Sequence, residues 1–136
     1  MKDLEELLIN AIHNDEKAND YFICNLNNEA LFMHLIDIIE KSDSNDARME
    51  AAYFISRFDK TLIKKTEKKL LILMDDELNS ISVHIMIALS RIKSPVALEK
   101  IINERIRPNL YWEACALENY YGEEVYGTEN NKSSME

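Results

Sequence analysis

Apolar residues recur along the chain at intervals of three and four, and short polar stretches interrupt the pattern. The first set comprises Leu4, Leu7, Leu8, Ala11 and Ile12. This spacing places apolar side chains on one face of an α-helix, so each uninterrupted set predicts one amphipathic helix. We expect eight helices, whose apolar residues fall within residues 4–12, 18–26, 31–39, 51–58, 62–74, 81–92, 98–102 and 109–121.

Polar side chains mark where two of these helices begin. Asn45 or Asp46 is expected to cap the fourth helix, and Asp59 or Thr61 the fifth. Short polar side chains are suited to this position because they accept hydrogen bonds from the free N–H groups of a first turn.

Glycine and proline usage supports the same interpretation. The chain has two glycines, Gly122 and Gly127, so the first 121 residues lack the residue that most β-hairpins and phosphate-binding loops need. Pro95 and Pro108 are each placed to open a helix, where a missing N–H group is harmless. The sequence therefore predicts an all-α fold of about eight helices in antiparallel hairpins.

Two segments of the chain are similar to each other, AAYFISRF at 51–58 and IMIALSRI at 85–92. When the two segments are aligned at a constant offset, the matched pairs are Ala47 with Ile81, Ala51 with Ile85, Ala52 with Met86, Ile55 with Leu89 and Phe58 with Ile92. A looser third copy contains Leu110, Ala114, Cys115, Leu117 and Tyr121. Helical units that recur at a fixed period bury their apolar faces by stacking on one another.

The segment ARMEAAYFISRF resembles the first helix of a HEAT-like repeat, in which an apolar residue and an arginine precede two small residues. Arg48 occupies the arginine position, and Ala51 and Ala52 form the small pair. The later copies depart from this pattern, because Ser82 and Tyr111 stand where arginine is expected. The resemblance implies a short HEAT-like α-solenoid, and a plain orthogonal helix bundle is the alternative.

A chain of 136 residues fits a single domain. We expect the helical repeat domain to occupy residues 1–121 and a polar, acidic tail to occupy residues 122–136. No apolar run approaches the ~20 residues that span a bilayer, and the acidic N-terminus does not match a signal peptide. A monomeric protein located in the cytoplasm, without membrane association, is therefore expected.

The sequence offers no set of residues typical of catalysis or metal binding. His34 and His84 lie on apolar helices and are expected to be packed, hydrogen-bonded side chains. Cys24 and Cys115 lie in apolar contexts and are expected to be reduced thiols of the core. No histidine or cysteine pair has metal-ligand spacing, and there is no glycine-rich nucleotide loop. We therefore expect a protein that is not an enzyme and uses no metal or cofactor.

The net charge of −9 is concentrated at the two ends of the chain. Residues 1–44 contain ten carboxylates and three lysines, and residues 109–136 contain six carboxylates and one lysine. The one basic cluster is KKTEKK at residues 64–69, which we interpret as a solvated helix face because nearby carboxylates offset it. The overall charge disfavours nucleic acid and favours a basic protein partner.

The last predicted helix combines aromatic and acidic residues, since it holds the only tryptophan and is followed closely by glutamates. Tryptophan and tyrosine are frequent hot spots of protein interfaces, and carboxylates complement a cationic partner. The alternative is that these aromatic residues close the last layer of the core. The predicted partner-binding residues are Trp112, Glu113, Tyr120, Tyr121, Glu123 and Glu124, with a further acidic set of Asp37, Glu40, Asp75 and Asp76.

Small size, acidity and the lack of catalytic residues favour a protein-binding module. The most specific hypothesis is a bacterial immunity protein, which neutralises a basic, nuclease-type toxin by binding it directly. Helical-repeat proteins occur among immunity proteins, and the resemblance is to that type. The alternatives are a HEAT-type scaffold or adaptor and, more remotely, a helical-repeat protein that binds nucleic acid.

Overall fold

The computed structural model describes residues 2–104 of the chain, and none of these residues forms a β-strand. The all-α class predicted from the sequence is confirmed. Within this range the chain forms eight helices: α1 Lys2–Ile12, α2 Glu16–Ile23, α3 Glu29–Lys41, α4 Asn45–Ile55, α5 Lys60–Lys65, α6 Glu67–Leu73, α7 Asn79–Arg91 and α8 Pro95–Glu104. The helix predicted at residues 109–121 lies outside the described residues.

Short polar side chains cap several helices at their N-termini. Asp59 accepts a hydrogen bond from the Thr61 amide at the start of α5, as the sequence predicts. The prediction of Asn45 or Asp46 as the cap of α4 is wrong, because Ser44 has the extended backbone and accepts from the Ala47 amide at 3.1 Å. Asn45 is already the first helical residue, which leaves the capping position to the serine before it.

The sequence predicts a single helix over residues 62–74, but the structure has two helices there, because the helix is interrupted at Thr66. The Thr66 hydroxyl donates to the Leu62 carbonyl at 2.9 Å, and the residue has φ −109° and ψ 18°. A threonine that bonds back to the preceding turn competes with the helical backbone and bends it. The apolar spacing continues through the break, since Leu62, Ile63, Leu70 and Leu73 are all buried.

The core is organised around α4, which packs against α1, α3 and α7. Helix α7 in turn packs against α5, α6 and α8. Two pairs of phenylalanine rings lie at the centre, Phe22 stacked on Phe54 at 4.5 Å and Phe32 edge-on to Phe58 at 5.2 Å. All four rings are fully buried, so the first four helices share one continuous core with the turn after α4.

Two positions that are matched between the repeat segments each bind a carbonyl near the end of the preceding helix. Arg48 Nε donates to the Ile39 carbonyl at 2.7 Å, in the last turn of α3. Ser82 Oγ donates to the Met74 carbonyl at 2.7 Å, at the end of α6. Ser82 stands where the repeat pattern expects arginine, and its hydroxyl nevertheless binds a carbonyl at the end of the preceding helix. The HEAT-like solenoid itself stays a prediction.

Residues that are matched across the two repeat segments are mostly buried. In α4 and α7 the buried members are Ala47, Ala51, Ala52, Ile55, Ile81, Ile85, Met86 and Leu89. The C-terminal ends of these two helices are also linked, because Arg91 Nη1 donates to the Ser56 carbonyl at 2.9 Å and to the Phe58 carbonyl at 2.5 Å. A cation at this position stabilises carbonyls that have no partner within their own helix.

The prediction that Cys24 is a core thiol is wrong, since Cys24 is a free, exposed cysteine at the C-cap of α2. Phe22 is the buried residue in the last turn of α2. Two residues later the helix has turned by about 200°, which directs the cysteine away from the core.

Candidate functional site

The six partner-binding residues predicted in the C-terminal segment lie outside the described residues. They are Trp112, Glu113, Tyr120, Tyr121, Glu123 and Glu124. The acidic set of Asp37, Glu40, Asp75 and Asp76 lies within the described range.

Each member of that acidic set is ion-paired within the chain. Glu40 on α3 contacts Lys69 on α6 at 3.7 Å, and Asp37 contacts Lys41 at 3.8 Å along α3 itself. Because each carboxylate has a cation within 4 Å, this part of the set presents little uncompensated charge to a partner.

The other two carboxylates hold helices together at the turn after α6. Asp75 contacts Lys100 of α8 at 2.9 Å. Asp76 is paired with Arg48 of α4, and its second oxygen accepts from the Leu78 amide at 2.9 Å. Arg48 and Asp76 are largely buried, with side-chain exposures of 18% and 13%. Asp76 therefore serves the fold, and a partner-binding role for the four carboxylates stays a prediction.

A different surface has the properties expected of a partner-binding site. A groove of about 520 Å³ lies between α1, the start of α3 and the end of α2. We call it the N-terminal groove. Its apolar wall is formed by Leu4, Leu7, Tyr21 and Leu31, and Asp3 and His34 are its principal polar residues.

Local sequence explains why the groove stays open. Helix α2 is only eight residues long, and Asn28 then caps α3 by accepting from the Leu31 amide at 3.0 Å. On α1, Leu8 and Ala11 are buried in the core, whereas Leu4 and Leu7 are only partly buried. All four side chains lie on one face of α1, and it is the two nearer the start of the helix, Leu4 and Leu7, that supply apolar surface to the groove.

Exposed apolar side chains are frequent in the three helices that line this groove. Tyr21 has 44% of its surface exposed, and its ring packs edge-on against Phe22 at 5.3 Å. Within the described part of the chain, four of the six exposed large hydrophobic residues belong to α1, α2 and α3: Ile12, Tyr21, Ile23 and Met33. Of these four residues, Tyr21 is the one that lines the N-terminal groove, so its ring is the exposed apolar surface that the groove offers to a partner.

The first three helices and the turn after them also carry uncompensated negative charge. Among residues 2–104, six carboxylates of this region have neither an ion pair nor a hydrogen bond: Asp3, Glu5, Glu6, Glu16, Asp20 and Asp43. Asp3 lines the groove, and Asp20 immediately precedes Tyr21. The groove therefore combines apolar area with a negative local potential, which complements a basic partner that has apolar side chains.

Both histidine predictions need correction. His34 is exposed on the rim of the N-terminal groove instead of packed in the core. His84 is half-buried, and its Nδ1 atom has no hydrogen-bond partner among the described residues. Burial lowers the pKa of His84, so the imidazole is neutral at pH 7.

The basic cluster at residues 64–69 is largely neutralised in the folded chain. Lys65 contacts Glu29 at 3.0 Å, Lys64 contacts Glu67 at 3.9 Å, and Lys69 contacts Glu40. Within the described range, Lys68 is the one lysine of the cluster that has no ion pair. These pairs reduce the positive potential that phosphate binding requires, which agrees with the interpretation of a solvated face.

Residues 2–104 contain neither a cluster of metal ligands nor a helix that could span a membrane. No three or more histidine, cysteine, aspartate or glutamate side chains are grouped in a way that could hold a metal ion there. In the same range, no helix has both the length and the apolar character needed to cross a membrane.

Comparison of the chain with protein-family models, curated proteins and solved structures finds no match.

Proposed function

We propose that this protein is a small protein-binding module, and specifically an immunity protein that neutralises a basic toxin domain by direct binding. The observation that carries the proposal is the N-terminal groove, where Leu4, Leu7 and Tyr21 provide apolar area beside carboxylates that have no cation partner in the described part of the chain. The apolar wall gives a partner surface to bury, and the charge orients it during approach.

The chemistry of nuclease toxins makes them suitable partners. A nuclease binds phosphates through lysine and arginine, so its substrate site is basic. An acidic protein that covers this site competes with nucleic acid for the same cations, and it needs no catalytic group of its own. The excess of carboxylates over lysines in residues 1–44 supplies negative charge of the kind such a partner requires.

A HEAT-type scaffold is the second hypothesis. It is supported by the position of α4 between α1 and α7, and by Arg48 and Ser82, which stand at matched positions of the two repeat segments and each bind a carbonyl near the end of the preceding helix. Stacked helical units provide extended binding surfaces, and scaffolds use them for protein partners of many kinds. Genomic context separates the two hypotheses, because an immunity gene is expected beside the gene of its toxin.

The proposal predicts protection in a co-expression experiment. The toxin domain encoded immediately upstream of this gene is induced in a bacterial host, with or without this protein. We expect the host to survive only when the protein is present, and the purified pair to form a complex of one copy each. Absence of a neighbouring toxin gene, or killing that continues at equal levels of folded protein, would contradict the immunity function.

A further inference from the structure

A second groove lies where α4 packs against α7, near the end of α1. Its volume is about 300 Å³, and we call it the α4–α7 groove. Asp46, Glu50 and Tyr53 line it from α4, and His84 lines it from α7. Residues three and four apart on a helix lie on the same face, which explains how α4 contributes a row of these side chains.

The polar groups of this groove have few partners in the folded chain. Neither Asp46 nor Glu50 has an ion pair or a hydrogen bond to its carboxylate among residues 2–104. No lysine or arginine is among the described residues that line the groove. A carboxylate in a partly desolvated groove is unfavourable without a cation, so the groove is complementary to a hydrogen-bond donor that carries positive charge.

Aromatic rings form another wall of the groove. The rings of Tyr53 and His84 meet edge to face, with centroids 5.5 Å apart. Just beyond α4, Arg57 Nη1 donates to the Tyr53 hydroxyl at 3.1 Å, and the Arg57 guanidinium lies 5.8 Å from the Tyr53 ring centroid. Tyr53 therefore already has one guanidinium beside it, that of Arg57, which shows that this ring accepts a cation–π contact.

Burial changes the titration of both groups at the centre of the groove. It raises the pKa of Glu50 and lowers the pKa of His84. The neutral imidazole does not repel a cation, and the Glu50 carboxylate gains stabilisation when a cation approaches.

From this arrangement we propose that the α4–α7 groove binds the guanidinium of an arginine side chain supplied by a basic protein partner. Arginine fits better than lysine, because its planar group presents five donors to acceptors at the edge and a flat face to aromatic rings. That the arginine belongs to a basic protein partner rests on the proposed function. The site itself is defined by Asp46, Glu50, Tyr53 and His84.

A small probe tests the site without the partner. The full chain is titrated with Nα-acetyl-arginine methylamide, and the ring signals of His84 and Tyr53 are followed by NMR. We expect saturable shifts with this probe, weaker binding of the lysine analogue and no saturable shift with the neutral citrulline analogue. Equal binding of arginine and citrulline analogues, or the absence of any shift at His84, would overturn the proposal.

Two matched variants separate binding from folding. Glu50→Gln keeps the shape of the side chain and is expected to weaken probe binding roughly tenfold or more, because a charge-assisted hydrogen bond is lost. The same variant is expected to melt at a higher temperature, since it removes a desolvated charge from the folded state. Glu77→Gln, which changes an exposed and unpaired glutamate of the described chain, is expected to alter neither quantity.

The outcomes distinguish this site from the proposed function. If Glu50→Gln binds the probe as tightly as the parent, the arginine site is wrong even where the toxin still binds. If the probe binds as expected but no toxin domain does, the site stands and the immunity function fails. A Glu50→Gln variant that loses both stability and binding would identify Glu50 as a structural residue and would also contradict the proposal.

Discussion

Replacing Arg48 with methionine is expected to lower the free energy of unfolding by about 2–3 kcal/mol. The substitution leaves the Asp76 carboxylate, which is largely buried, without its cation. It also removes the donor that binds the Ile39 carbonyl at 2.7 Å. Complete burial would give a larger loss, but both side chains of the pair retain some exposure. Thermal unfolding followed by circular dichroism should show a midpoint lower by roughly 10 °C.

A second substitution tests the cause of that loss. Asp76→Asn removes the charge but keeps an acceptor for the Leu78 amide. In the Arg48→Met background, Asp76→Asn is expected to recover about 1 kcal/mol, because the uncompensated carboxylate is gone. If the losses in free energy of unfolding from the two substitutions simply add, the ion pair between Arg48 and Asp76 does not stabilise the fold as the structure indicates.

Replacing Tyr21 with alanine is expected to weaken binding of the toxin domain by about 2 kcal/mol or more, which is roughly a 30-fold increase in Kd. Tyr21 is the exposed residue of the groove's apolar wall, since Leu4 and Leu7 are partly buried and Leu31 is buried. An aromatic ring at such a position is a typical hot spot. Isothermal titration calorimetry with the purified toxin domain measures the change directly.

Ile72→Ala is the matched control for Tyr21→Ala. Ile72 is 72% exposed on α6 and does not line the N-terminal groove. We expect this variant to bind like the parent, although it also loses exposed apolar surface. A Tyr21→Ala variant that binds with the parental affinity, or that unfolds before it can be measured, would remove Tyr21 from the binding surface.

Apolar periodicity is sufficient to predict the fold class and most of the core. The buried positions of α3, α4 and α7 follow the spacing of three and four, because a packed helix needs a continuous apolar stripe. The break at Thr66 is not predictable from that spacing, since the apolar residues keep their register on both sides of it. It depends on one hydroxyl that bonds to the preceding turn.

The ionic contacts show a different limit of sequence reasoning. Asp75 and Asp76 are adjacent to other acidic residues in the sequence, which suggests a solvent-facing acidic set. Their cations, Lys100 and Arg48, lie 25 and 28 residues away in the chain. Only the packing of α4, α6 and α8 against α7 brings these charges together, so their structural role cannot be inferred from local composition.

The two grooves cannot be predicted from the sequence for the same reason. Leu4 and Leu7 belong to the apolar set of α1, and periodicity alone assigns them to the core. Both leucines remain partly exposed because α2 is short and because of where α3 begins. The excess of carboxylates in residues 1–44 is the available signal, and it indicates the region without identifying the groove.

The most direct test of the account is the rate at which the toxin domain associates with charge-reversed variants. Asp3→Lys combined with Asp20→Lys changes two unpaired carboxylates of the described chain, of which Asp3 lines the N-terminal groove and Asp20 precedes the groove residue Tyr21 in the sequence. Glu77→Lys combined with Glu99→Lys changes the net charge equally at exposed positions that do not line the groove. Because Asp3 lies in the first turn of α1, thermal unfolding of both variants accompanies the kinetics.

Stopped-flow association is measured at low and at high salt for the parent and both double variants. We expect the Asp3/Asp20 variant to associate roughly tenfold more slowly than the Glu77/Glu99 variant at low salt, and the difference to shrink as salt screens the charges. Equal association rates for the two folded variants at low salt would show that net charge alone guides the partner, and would contradict a binding site at the N-terminal groove.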